Sequence, residues 1–181
     1  MSTASLLLSL TGPSTIVLVL TAAALDLRHR RIPNWLTFSA WLLALPVQLS
    51  IHGLSGGALA WAGGWLTGFA IFLPFYLLRG MAAGDVKLMA AVGAWLGVTM
   101  AFHIALATFV IGGIWALVFT ISHGRLGRLR RNLKLMLLGL GNTAPEAAHH
   151  IGCIDSSRSV GTLPYGVAIA AGTIGMLFAS V

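Results

Sequence analysis

Only four side chains in this chain of 181 residues carry a carboxylate: Asp26, Asp85, Glu146 and Asp155. Glu146 and Asp155 fall in a polar stretch, where a solvated acid needs no further account. Asp26 and Asp85 each border a long apolar run, where an ionisable group is costly and points to function. Two carboxylates a few ångströms apart cannot both ionise cheaply, so they share one proton. Such a pair can hold a water between an acceptor and a donor. The ionised member takes the water's proton as it attacks a peptide carbonyl; the protonated member polarises that carbonyl and then helps to protonate the leaving amine. This chemistry needs no metal and no covalent intermediate. The competing account pairs Asp26 with Arg28 or Arg30, and Asp85 with Lys87 or Arg79, as surface ion pairs contributing roughly 0 to 1 kcal/mol each.

The other reactive side chains offer less. One cysteine, Cys153, permits neither an internal disulfide nor a Cys-cluster zinc site. His29 and the adjacent His149 and His150 have no matching ligands at metal-binding spacing and read as solvated. No metal and no cofactor are expected.

The elements that must position the two aspartates follow from composition. Hydrophobic residues make up 57% of the chain and Asp, Glu, Lys and Arg only 8%, where a soluble domain carries about 25% charged residues. The 22 glycines show no triplet period, which excludes collagen, and the apolar content excludes disorder. The expectation is an all-α, polytopic membrane protein forming a single integral membrane domain over residues 1–181. A helix crossing the roughly 30 Å hydrocarbon layer needs about 20 apolar residues. About six such runs are present, at residues 6–25, 34–51, 58–78, 86–96, 100–121 and 164–181. The first has no basic residues before it and reads as a retained helix, not a secretory signal.

Charge sets the expected orientation. The 11 Lys and Arg residues lie after span one (Arg28, Arg30, Arg31), around the turn into span four (Arg79, Lys87) and between spans five and six (Arg125, Arg128, Arg130, Arg131, Lys134, Arg158). With six spans these loops share one side, which the positive-inside rule makes cytoplasmic. Both termini are then expected outside, with Asp26 and Asp85 at similar depth near the cytoplasmic face. The net charge of +7 is thereby accounted for without nucleic acid. Within the cytoplasmic segment of about 124–163, residues 125–140 place Leu126, Leu129, Leu133, Met136 and Leu140 at steps of three and four among basic residues. That is the pattern of an amphipathic helix lying on anionic lipid, or of a loop packed against the other helices. Residues 141–162 read as an irregular connection.

The two aspartates sit in the segments Asp26-Leu27-Arg28-His29-Arg30-Arg31-Ile32-Pro33-Asn34 and Gly80-Met81-Ala82-Ala83-Gly84-Asp85-Val86-Lys87-Leu88. These segments resemble the type IV prepilin peptidases, membrane aspartic proteases marked by an Asp shortly before Arg-Ile-Pro-Asn and by Gly-x-Gly-Asp-x-Lys. The small size and the Pro164-Tyr165-Gly166 opening of the last span look most like the short branch serving tight-adherence (Flp) pili. The resemblance implies that Asp26 and Asp85 are the catalytic pair, with Gly84, Lys87, Pro33 and Asn34 as supporting or substrate-binding positions. Lys87 has a second reading, as an anchor of its helix end to the interface. Ala82 stands where the motif has its first glycine, and alanine disfavours a positive φ; Gly80 is the nearby residue able to meet such a demand. The resemblance further implies a substrate that is a membrane-inserted prepilin, cleaved after a glycine on the cytoplasmic side. The larger family members carry paired Cys-x-x-Cys motifs and methylate the new amino terminus; peptidase activity without methyl transfer is expected here.

Two other readings use the same residues: a small ion- or proton-coupled transporter, and a non-catalytic membrane subunit of pilus assembly. Transport favours charged groups or broken helices near the membrane midplane, whereas spans two, three, five and six contain no Asp, Glu, Lys or Arg.

Overall fold

The computed structural model describes residues 3–78, 80–122 and 165–180 of the chain. The amphipathic segment expected at 125–140 and the connection at 141–162 lie outside the described residues, as do Arg79, Glu146, His149, His150, Cys153 and Asp155. The chain divides into two compact units, one formed by Met1–Gly112 with Pro164–Val181, the other by Gly113–Leu163. The first holds both aspartates; of the second, the described residues are 113–122, the end of a helix.

The described residues form helices and no strand: α1 (Thr3–His29), α2 (Asn34–Leu77), α3 (Ala83–Ser122) and α4 (Tyr165–Ala179). Stretches within α1, α2 and α3 are long and apolar enough to cross a membrane, and α4 is a shorter apolar helix. Neither α2 nor α3 is one straight rod. Gly53 (φ 76°, ψ 178°) interrupts α2 and Gly97 (φ 79°, ψ 179°) interrupts α3, each in the left-handed half of the Ramachandran map that glycine enters without penalty. Trp41 and Trp61 would stand about 30 Å apart on an unbroken helix at 1.5 Å per residue. Instead their ring centroids are 4.8 Å apart, and Trp61 Nε1–H donates to the Trp41 carbonyl at 2.9 Å. The two arms of α2 therefore fold back on each other as a helical hairpin. In α3, a Cβ placed on Gly93 would lie 3.2 Å from the Ala101 Cβ, so this helix also doubles back across its glycine.

Small residues set how closely the arms approach. A Cβ on Gly64 would collide with the Gly93 carbonyl, one on Gly93 with the Gly64 carbonyl, and one on Gly68 with the Met89 backbone. Gly64 and Gly68, four apart on α2, thus face Met89 and Gly93, four apart on α3. This is the small-residue contact that lets membrane helices pack backbone to backbone. The first arm of α3 is the centre of the unit: Val86, Leu88, Met89, Ala90, Ala91, Val92 and Ala94 are all buried. Around it stand α1, which packs on α2 and α4, and the second arm of α2, whose buried Phe72 stacks on Phe109 at 4.9 Å.

The break at Gly97 leaves the preceding carbonyls without their usual donors four residues on. Gln48 supplies one: its Nε2 donates to Ala94 O at 3.2 Å and to Trp95 O at 2.8 Å. Large apolar side chains face outward along the rods, among them Val17, Leu20, Phe38, Leu43, Leu59, Leu66 and Val110, while alanines and glycines fill much of the interior. A water-soluble surface does not carry this much contiguous apolar area; a lipid-facing one does.

Candidate active site

Asp26 opens the last turn of α1, and that helix ends in an unusual way. Arg30 adopts φ 52°, the one positive φ among the described non-glycine residues, and its N–H donates to the Asp26 carbonyl at 2.8 Å. This is the left-handed C-terminal cap that glycine normally supplies, held here by an arginine at a conformational cost of about 1 kcal/mol. The chain then turns within a few residues. Ile32 precedes a proline and is steered away from helix, and Pro33, extended at φ −69° and ψ 139°, caps the start of α2 at Asn34. The Asp26-to-Asn34 segment is therefore a tight, backbone-fixed corner.

Asp85 lies in the first turn of α3. Its Oδ2 accepts the Ala82 N–H at 3.2 Å, while its own N–H donates to the Ala82 carbonyl at 3.1 Å. With Ala82 at the cap position and Asp85 three residues on, the carboxylate reaches back to the cap N–H as in half of a capping box. This disposes of the conformational concern at Ala82: its φ is not positive, so a residue with a side chain sits there without strain, and Gly80 has no such demand to meet. Gly84 is needed for space, since a Cβ on it would lie 3.1 Å from the Cβ of Ile32. The first turn of α3 thus rests against the corner that carries Asp26.

The two aspartates are brought together. Asp26 is 9% and Asp85 5% exposed, and the charge of Asp26 reaches Asp85. Two groups not anticipated as site residues complete the surroundings. Gly166, at the start of α4, donates its N–H to Asp26 Oδ2 at 3.0 Å in a buried contact. Tyr165 is half-buried, with its phenol in the field of Asp85. The one hint of them in the sequence was the Pro164-Tyr165-Gly166 opening of the last helix.

Lys87 turns away from the acids: its Nζ donates to Asn34 Oδ1 at 2.9 Å. It ties the first turn of α3 to the first turn of α2, joining two of the motif positions. Of the cations beside Asp26, Arg30 is the one whose field reaches it. Beside Lys87 and Asn34 opens a groove of about 490 Å³ with aromatic walls formed by Phe38, Trp41, Trp65 and Phe69. A cavity of about 730 Å³ is lined by Thr11, Gln48, His52, Trp95 and Phe178. Thr11 precedes Asp26 by about four helical turns, or roughly 22 Å, so this larger space is remote from the acids. Among the described residues, no three His, Cys, Asp or Glu side chains come together as metal ligands would.

A corner and a helix start that converge on two carboxylates can hold and polarise a water, and comparison with known proteins gives the same pair of segments a family. Three relatives are each named prepilin leader peptidase/N-methyltransferase. The protein from Xanthomonas campestris pv. campestris is 30% identical over 113 residues, covering 57% of this chain and 38% of the relative. That from Burkholderia pseudomallei is 32% identical over 126 residues, covering 62% and 41%. That from Legionella pneumophila is 31% identical over 115 residues, covering 61% and 40%. The chain thus spans about two fifths of the length of the curated relatives it matches. No solved structure matches it. The sequence model of the type IV leader peptidase family aligns with residues 14–117, a stretch holding Asp26, the Arg-Ile-Pro-Asn corner, Asp85 and Lys87, and on this match across more than half its length the chain belongs to the type IV leader peptidase family.

Proposed function

We propose that this chain is a membrane aspartic endopeptidase that removes the basic leader from type IV prepilins, of the Flp-like kind, at the cytoplasmic membrane face. The observation that carries the reading is the convergence of Asp26 and Asp85, from motifs far apart in sequence, in a chain of the leader peptidase family. A water held between them loses a proton to the ionised carboxylate as its oxygen attacks the scissile carbonyl. The other, protonated carboxyl hydrogen-bonds to the carbonyl oxygen as it gains charge. Collapse of the tetrahedral species breaks the C–N bond, and the leaving amine takes a proton from the pair. Gly84 keeps the second motif pressed on the first, and Lys87 with Asn34 and Pro33 holds the corner in place.

The reading includes a topology. Counting each arm of α2 and α3 separately gives six crossings, with the Asp26 corner and the start of α3 on the cytoplasmic side and both termini outside. The hairpin breaks at Gly53 and Gly97, each in a stretch without Lys or Arg, support this count. The basic segment 125–140 is assigned to the cytoplasmic headgroup layer, where each cationic residue contributes about 1 kcal/mol on anionic lipid.

The test is direct: purified protein in detergent is mixed with a candidate prepilin and the product is weighed by mass spectrometry. Loss of the leader at the junction after the glycine is expected. An intact prepilin, in the presence of protein shown to be folded, removes the peptidase reading.

A further inference from the structure

The contact between Asp26 and Gly166 joins residues 140 positions apart in sequence. Gly166 is the second residue of α4, and the first N–H groups of a helix have no acceptor within it. An ionised carboxylate is the acceptor that forms the strongest hydrogen bond with such a donor. The approach also depends on a missing side chain. A Cβ on Gly166 would lie 2.9 Å from Asp26 Oδ2, 3.1 Å from its Cβ and 3.3 Å from its Cγ. The φ of Gly166 is not positive, so glycine is required there for space and not for backbone freedom. Its neighbour Tyr165 is seated the same way, since a Cβ on Gly112 would lie 3.1 Å from Tyr165 Cε1. The start of α4 is thus fitted to Asp26 at Gly166 and to α3 at Tyr165, two adjacent positions beyond the segment aligned with the family.

We propose that Gly166 is a positioning residue for the hydrolysis. Its N–H fixes Asp26 Oδ2 and so holds Oδ1 toward the water whose proton it takes, and its lack of a side chain lets α4 come within hydrogen-bond reach. This inference rests on the reading of Asp26 and Asp85 as the hydrolytic pair.

The experiment measures kcat and KM for prepilin cleavage by the full-length protein and by Gly166→Ala, with Gly175→Ala on the same helix as the control. Gly175 has open space around it, so its variant keeps both constants. In Gly166→Ala the carboxylate must move aside, and kcat falls about a hundredfold, the cost of a misplacement of about 1 Å, with KM within about twofold. Where Gly166→Ala fails to insert, incorporation of glycolic acid at position 166 replaces the N–H by an ester oxygen and adds no atom. A loss of roughly tenfold in kcat is then expected for the missing hydrogen bond. Unchanged kcat in folded Gly166→Ala or in the ester variant overturns the proposal, as does a rise in KM alone. The two readings fail differently. Wild-type protein that cleaves no prepilin refutes the peptidase reading, whereas cleavage abolished by Asp26→Asn but untouched by Gly166→Ala refutes only the positioning role.

Discussion

In the proposed mechanism Asp26 and Asp85 act as one unit. Replacing either by Asn keeps its size and removes its proton exchange, so each single variant is expected to lose cleavage at least about a hundredfold. The double variant is expected to be little worse than either, because members of one catalytic unit are not additive. Gel-based cleavage of prepilin by the four proteins checks this, with Glu146→Gln expected to retain activity. The same mechanism needs one proton between two carboxyls, so activity is expected to be highest where a single proton is bound and to fall on either side, with two macroscopic values belonging to the pair. Ala82→Gly, which restores the family glycine, is expected to leave kcat within about twofold, since Ala82 has an ordinary φ and glycine serves well at a helix cap. The motif spacing singled out both aspartates and Gly84 in the sequence. It did not give the partner of Lys87, because a lysine can reach an acid, an interface or an amide, and packing chose Asn34.

At the scale of elements, the two helix breaks and the glycine contacts make separable demands. Gly53 and Gly97 have positive φ and open space around them, so Gly→Ala at either costs only backbone strain, about 1–2 kcal/mol. Gly64→Ala is expected to cost more, because its Cβ meets the Gly93 backbone, which cannot rotate away as a side chain would. Gln48→Ala leaves the Ala94 and Trp95 carbonyls without their donor and is expected to cost about 1–3 kcal/mol. Unfolding of the four variants in mixed micelles of increasing denaturing detergent orders them. Gly53→Ala as damaging as Gly64→Ala would contradict the packing argument. The apolar run at 86–96 is short for a span when taken alone; the unbroken burial of residues 88–94 explains why that stretch is rich in alanine.

For the whole molecule, the proposed six crossings place the basic loops on one side and the loops without Lys or Arg on the other. Reporter fusions after Gly56 and at the carboxyl terminus are expected to report the outside, and fusions near Arg31 and Gly141 the cytoplasm. Fusions at Arg31 and Gly141 on opposite sides would refute the arrangement. Replacement of Arg128, Arg130 and Arg131 by Glu is expected to loosen the 125–140 segment from anionic vesicles, as read by the depth of spin labels along it.

The sequence by itself determined the helical class, the membrane character and the two acids, because these depend on local composition and short spacing: apolar runs bounded by charge, and an aspartate at a fixed offset from Ile-Pro-Asn or from glycine. The breaks within α2 and α3 follow the runs already separate in the sequence; only the tertiary structure decided which faces of the two meet, Gly64 on Gly93 and Gly68 on Met89. It alone set the open end of a late helix against Asp26, through Gly166. Those contacts join residues tens to more than a hundred positions apart, and they depend on the absence of a side chain, which leaves no periodic trace in the chain that carries it.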